Sequence, residues 1–525
     1  MKKIIKAVHL KTISKFLAVL LLFVIYVILY KIYIPKVNAF GCFDDCFNYL
    51  AGYFIQNGKE LYSEIFFNHQ PLMAYISYFI QSFFDPINIY ELVLRHRQIL
   101  LSFSFLMNLL IILRFGLAGA GFTLLYEFSK FYLFGDRFLA EGFIVYPAVY
   151  MTGIVWYKLQ KMRIYSFDYI VCSILSWFII FMREPYSLLS LMMLLVILLG
   201  RPYSISKKIS LGVFIGLTFV TLIVLPFNEY FFNVVTVSYQ TIFRSEIQNI
   251  QNNGILDIIR IFFYPAFLFF GGDWNVFRPF MVGLSSIFLL LILYLSFIKK
   301  QFKLIGVMIL ILGFANFRPV DPIGRMYYEA FHMLSWYGIF IFLIFLMEGY
   351  INKYNKIVSY LTLTSSVGLF LYITLSPSSF IHGKRDTHEE FLTNFGKELQ
   401  VGEVVKILSK PSDTLFLDGF DDLIYWQAKR MSSYKYSWYT SVMPAFPKYT
   451  KARLEMFKNN PPDFYYGSCP KDTNNYRLLP QNTRHEYQQL YSRSKPTCLY
   501  IKKTKIPYIS SESWKKAKDF SYELP

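Results

Sequence analysis

The chain reads as a polytopic α-helical membrane protein with about eleven transmembrane helices and a C-terminal extracytoplasmic α/β or α+β domain. Three observations predict this architecture. Apolar runs long enough to cross roughly 30 Å of hydrocarbon as helix recur through residues 1–375. Charged residues are only 17% of the chain against 55% hydrophobic, and mean hydropathy is +0.38, a balance foreign to a soluble domain of 525 residues. From about Ser376 onward the composition turns polar and no spanning run remains.

The spans fall at about 13–35, 98–115, 117–134, 138–157, 166–183, 186–200, 209–227, 279–298, 302–316, 331–349 and 356–375. The first is too long for a signal-peptide core and lacks a small-residue cleavage site, so it reads as a retained helix. A shorter apolar stretch, Ile258 to Gly271, reads as re-entrant or interfacial, because a full span there would flip every later basic loop.

Lys and Arg in the short loops orient these spans. Lys2, Lys3, Lys6, Lys11 and Lys15 mark the N-terminus as cytoplasmic. Lys158, Lys161 and Arg163 mark one loop on the same side, and Arg201, Lys207 and Lys208 a second. Lys299, Lys300 and Lys303 mark a third, and Lys353 and Lys356 a fourth. Segment 36–96, loops 228–278 and 317–330, and the tail then lie outside the cytoplasmic membrane. The net charge of +19 is spread between spans and so suits topology rather than nucleic-acid binding.

The domains are therefore a membrane domain, 1–375, with an external loop 36–96, and a soluble domain, 376–525. The tail holds 23 Lys and Arg against 16 Asp and Glu. "EVVKILSKPSDTLFLDGFDDLIYWQAKR" predicts helix, buried strand and a second helix containing Tyr425 and Trp426. "PPDFYYGS" and "PTCLYIKK" predict two more strands. Of five cysteines, Cys469 and Cys498 suit an external disulfide that spacing alone leaves open. Cys42 and Cys46 fit a local bridge or two small hydrophobes equally well, and Cys172 sits in an apolar run.

The segment "FDDCFNYLAGYFIQNGKELYSEIFFNHQPLMAYI", from Phe43 to Ile76, carries the densest chemistry. Asp44 and Asp45 stand just past the first span, where a carboxylate can act as general base or hold a divalent cation. The plainer alternative is that they cap a helix starting near Cys46. Cys46 to Gln56 is amphipathic, Gly58 ends it, and another amphipathic stretch starts near Pro71. Such helices can lie on a membrane surface.

This segment resembles the first external loop of integral-membrane glycosyltransferases of the GT-C fold, in the bacterial family of protein O-mannosyltransferases and the lipid A aminoarabinose transferase. The family pattern is an Asp-Glu pair, a helix, and a Lys-Pro-Pro element opening the next helix. The resemblance implies that Asp44 is catalytic and that Asp45 replaces the family's Glu. His69-Gln70-Pro71 stands at the Lys-Pro-Pro position, where His69 would take over phosphate contact. The tail's "DTLFLDGFDDLIYWQAKRMSSYKYSW" is similar to the family's external domain.

A polyprenyl-phosphate sugar donor would need cations at the outer boundary. Arg183, in "MREP", and Arg325, in "NFRPVDPIGRMYYEAFH", are the leading candidates, followed by Arg97, with Arg95 and Arg318 beside them. Glu184, Tyr327, Tyr328 and His332 border the same face as acceptor or supporting groups. A snorkelling arginine, an aromatic belt and a turn role for Asp321 are the structural alternatives. No P-loop, HExxH or GxSxG pattern is present.

The expected activity is inverting transfer of a sugar from a polyprenyl-phosphate donor to a lipid, glycan or protein acceptor. Partners are the lipid-linked donor, the acceptor and membrane lipids, with no nucleic acid. No resident metal is required, although a divalent cation is a candidate cofactor at the acid pair. The alternative is a transporter or flippase of lipid-linked saccharides, which Glu127 and Lys130 inside the third span would suit.

Overall fold

A computed structural model of the chain describes residues 2–33, 44–200, 205–238, 240, 276–316, 330–376, 387–419, 423–467 and 479–525. The fold is mostly helical with a small C-terminal sheet. The chain divides into two compact units. The first comprises residues 1–37, 97–221 and 252–385, and the second 38–96, 222–251 and 386–525.

Helices α1 (Lys2–Tyr33), α4 (Ile89–Phe115), α5 (Leu117–Ser129), α6 (Ala140–Leu159), α7 (Ser166–Met182), α8 (Ser187–Leu198) and α9 (Ile205–Val224) follow the first seven apolar runs. The last four runs form α11 (Phe277–Leu293), α12 (Phe302–Ala315), α13 (Leu334–Ile351) and α14 (Lys356–Leu375). Among the described residues, six helices are long and apolar enough to cross a membrane: those at Phe16–Tyr33, Ile89–Phe115, Ile205–Val224, Phe277–Ile298, Ala330–Ile351 and Lys356–Leu375. The apolar stretch at 258–271 lies outside the described residues.

Two helices sit at the centre of the first unit. Helices α6 and α13 are apolar all round, which only a fully surrounded helix can satisfy, and both are buried along most of their length. They approach closely because Gly338 offers no side chain: a Cβ there would lie 2.3 Å from Val145 Cγ2. Helices α9, α11 and α14 instead turn large apolar groups outward, among them Phe219, Leu289 and Leu361. Water would penalise that girdle and hydrocarbon would not, which fits a membrane protein.

The second unit contains α2 (Asp44–Gln56), α3 (Leu72–Phe84), α10 (Phe227–Phe231) with its continuation to Val237, and α15 (Thr387–Leu408). It also holds α16 (Leu423–Ala428), α17 (Pro447–Asn459) and α18 (Ser511–Asp519). Strands β1 (Thr414–Leu417), β2 (Met431–Ser432), β3 (Phe464–Tyr466), β4 (Tyr487–Ser492), β5 (Lys495–Lys502) and β6 (Tyr522–Glu523) form one sheet. Its order is β2-β1-β3-β5-β4-β6. β1 runs parallel to β2 and β3, with Leu415 opposite Phe464, while β3, β5, β4 and β6 pair antiparallel.

The anticipated strands at 413–419, 461–468 and 496–503 are β1, β3 and β5. Leu415, Phe416 and Leu499 are all buried, Leu415 and Phe416 on opposite faces of the sheet. Helix α2 begins at Asp44, two residues before the start read from the sequence, so both acids lie within its first turn. Its surface is mostly buried, because α3 and α16 pack on it. The exposed apolar face belongs to α3, through Phe79 and Phe83.

Cys46 and Cys498 are both in disulfide linkage, and Cys172 is a buried free thiol. Cys469 lies outside the described residues, as does the anticipated Cys469–Cys498 pairing.

Candidate functional site

The first unit gathers a buried acid beside an arginine and a histidine. Glu141 lies in the first turn of α6, where the unpaired amides of a helix start favour negative charge. His332, in the helical turn Ala330–Met333 that leads into α13, places Nδ1 at 2.8 Å from Glu141 Oε1. Arg183 Nε lies 3.6 Å from the same oxygen. All three side chains are under a tenth exposed. Burying such groups is tolerable only when they pair.

Local sequence explains how Arg183 reaches this place. Pro185 lacks a backbone donor and cannot continue α7, so the chain leaves the helix at Arg183 in an extended conformation, φ −158 and ψ 126, before the short turn Glu184–Tyr186. Tyr186 then donates to the His332 carbonyl at 3.0 Å, tying this break to the start of α13. Glu184 opens that turn.

Two further arginines belong to the same end of the unit. Arg97 and Arg137 are both 1% exposed. A Cβ at Gly142, beside Glu141, would lie 3.3 Å from Leu100 and 3.4 Å from the Arg137 carbonyl. Helix α4 therefore meets the start of α6 one helical turn from Arg97, and the turn carrying Arg137 joins them. Arg137 lies over the Phe134 ring at 4.6 Å.

Farther along α5 lies a second buried polar cluster. Lys130 Nζ is 2.6 Å from Glu127 Oε2, and Tyr146 and Asn108 donate to Glu127 Oε1 at 2.7 and 2.9 Å. Asn108 also donates to Tyr26, which donates in turn to Ser104. The network joins α1, α4, α5 and α6.

In the second unit, Asp44 opens α2 and Asp45 is 1% exposed, receiving the Tyr49 hydroxyl at 3.3 Å. The Tyr49 ring packs on His96 at 4.4 Å, and Ser77 Oγ lies 2.8 Å from His96 Nε2. Gln81 donates to the Tyr49 carbonyl and accepts from Trp426. Asp45 thus opens onto a polar seam made by α2, α3, α16 and the first turns of α4. His69 lies edge-on to Phe47 and Phe67, each at 5.8 Å, with its carbonyl held by Tyr62.

The loop after α2 is stitched to the C-terminal domain. Lys59 donates to the Tyr434 carbonyl and to Ser437 Oγ, both at 3.3 Å. Ser437 donates to the Glu64 carbonyl, and the Phe66 amide to the Tyr436 carbonyl. Burial pulls the Lys59 ammonium down to about 8, with Glu64 opposing the shift. At the end of β1, Asp418 is fully buried and receives Arg453 through Nε and Nη2 at 3.2 and 2.6 Å, together with Tyr465 at 2.7 Å.

The structure brings Arg183 and His332 together, and it buries Arg97 and Asp45. Arg95 is instead paired along its own helix with Glu91 at 3.1 Å. Arg318, Asp321, Arg325, Tyr327 and Tyr328 lie outside the described residues. Glu141, Arg137 and His96 escaped the sequence reading. The available signal for Glu141 was an acid at the head of an otherwise apolar span. Among the described residues no cluster of three or more His, Cys, Asp or Glu side chains could hold a metal ion.

The class that the fold defines is a helical membrane protein with a small appended sheet. Comparison with protein-family models, curated proteins and solved structures finds no match to the chain.

Proposed function

We propose that the chain is a glycosyltransferase of GT-C type that moves a sugar from a polyprenyl-phosphate donor to an acceptor at the outer face of the cytoplasmic membrane. The observation that carries this reading is the buried Arg183–Glu141–His332 cluster, with Arg97 and Arg137 buried at the same end of the unit. Cations oriented in a dry setting suit a lipid phosphate leaving group, because each charge-assisted contact strengthens as water is excluded. The acid pair at the start of α2 supplies the second half of the chemistry.

In this reading Asp44 accepts the proton of an acceptor hydroxyl as its oxygen attacks the sugar C1. The bond from C1 to the phosphate oxygen breaks, and the polyprenyl phosphate leaves with the electron pair. Inversion at C1 follows from attack opposite the leaving group. Arg183, Arg325 and Arg97, with His69, hold the phosphate. Asp45 positions the acceptor or a cation, and Glu184, Tyr327, Tyr328 and His332 support these groups.

A second reading, transport or flipping of a lipid-linked saccharide, draws on the Glu127–Lys130 pair buried in the apolar interior. Purified protein in liposomes, given synthetic lipid-linked sugars and an acceptor mixture, separates the two. Asp44→Asn is expected to abolish transfer while the protein stays monodisperse. Full transfer by Asp44→Asn would discard the catalytic assignment.

A further inference from the structure

At the opposite end of α6 from Glu141, about 22 Å along the helix at 1.5 Å per residue, the first unit contains a half-open cavity of about 550 Å³. Its body is apolar, with Ala118, Leu124 and Leu363 among the wall residues from α5 and α14. Its polar lining comes mainly from the end of α13, where Glu348, Asn352 and Lys353 meet the space. Glu348 is turned aside as an acceptor for the Ser359 hydroxyl. Asn352 and Lys353 are exposed.

The cations around this mouth outnumber its acids. Tyr157 and Phe115 line the cavity, and the Arg114 guanidinium lies over their rings at 4.6 and 5.7 Å. Arg114 neutralises Asp168, its partner at 2.8 Å. That leaves Lys353, with Lys161 and Arg163 flanking the lining residue Met162, as exposed positive charge. Basic side chains at a loop are expected of any membrane protein, but here they border a half-open apolar slot of ligand size.

We infer that the cavity is a binding site for an anionic phospholipid of the leaflet facing these basic loops. One acyl chain fills the apolar body, and the phosphate meets Lys353 and Asn352. A peptide or soluble metabolite fits less well, because the slot opens among helices whose outward faces require hydrocarbon. A zwitterionic phospholipid would fill the body and bring the same phosphate, but its own ammonium offsets that charge and weakens the pairing with the lysine.

The test is native mass spectrometry of the delipidated full-length protein, titrated in parallel with dioleoyl phosphatidylglycerol and dioleoyl phosphatidylcholine. The wild-type protein is expected to retain phosphatidylglycerol about fivefold more strongly, the worth of one lysine near a membrane surface. Lys353→Gln, a change on an exposed turn, should erase that preference with the fold unchanged. Ala118→Phe, which fills the body, should reduce retention of both lipids. Equal binding of the two lipids by wild type, or an undiminished preference in Lys353→Gln, overturns the proposal. So does undiminished retention by a folded Ala118→Phe protein.

Discussion

His332 and Glu141 meet at 2.8 Å across 191 residues of sequence, and Arg183 approaches the same carboxylate oxygen. This one oxygen orients an arginine and a histidine from separate elements, so Glu141 acts as a positioning residue under the proposed mechanism. Glu141→Gln is expected to raise the KM for the lipid-linked donor about tenfold, near the worth of a charge-assisted hydrogen bond. The effect on kcat should be smaller. Arg183→Gln, which removes a phosphate contact, should lower transfer by roughly a hundredfold. Steady-state assays with donor varied at fixed acceptor decide this. An unchanged donor KM in folded Glu141→Gln would remove the positioning role.

The Glu127–Lys130 pair distinguishes catalysis from transport. Breaking it from one side, as in Lys130→Met, strands a buried carboxylate and should cost about 3–5 kcal/mol of stability. Neutralising both, as in Glu127→Gln with Lys130→Met, should recover most of that loss. Under the transferase reading the double variant keeps its transfer activity. A carrier would lose lipid-linked saccharide movement in the same variant, so scrambling and transfer assays run side by side give opposite outcomes.

Lys59 gives the second unit a pH signature. Its folded pKa, about 8, lies below the roughly 10.4 of an unfolded lysine. The unfolded chain therefore binds more protons between those values, and stability contributed by this group rises as pH climbs from about 8 to about 10. Below pH 8 the burial penalty is fully present and flat. Lys429, also lowered to about 8 by burial, adds with the same sign. Denaturant midpoints measured from pH 7 to pH 10 should rise less in Lys59→Met than in the wild type. Parallel curves for the two proteins would contradict the assignment.

Much of the helical scaffold was legible because apolar run length reports directly on helices that must be surrounded by hydrocarbon or by one another. Strands β1, β3 and β5 were legible for a related reason, since "TLFL", "FYY" and "CLYI" are short, apolar and bounded by turn residues. Strand β4 was not, because "YQQLYS" holds only two buried side chains and reads as loop. The start of α2 was misplaced by two residues because aspartates serve equally well before a helix and within its first turn.

At the candidate site, Arg183 was legible from the proline that follows it. Glu141 was not, because a first-turn acid is ordinary on any helix until its partners are known. Those partners come from residues 183 and 332, and no local pattern encodes a pairing of that range. The polar seam around His96 was hidden for the same reason: Ser77 and Tyr49 reach it only after α2 and α3 fold together.

The stitching of Lys59 to Tyr434 carries a consequence for how the chain is made. These residues are 375 apart, so at about 5–20 residues per second a ribosome needs roughly 20–75 s to deliver the second after the first. Throughout that interval the newborn segment 57–71 has neither its acceptor carbonyls nor the turn after β2 that carries them. A chain halted before residue 434 would present this loop to chaperones and proteases as an unfinished surface. Protection of residues 57–71 is thus a clock that reads the completion of synthesis.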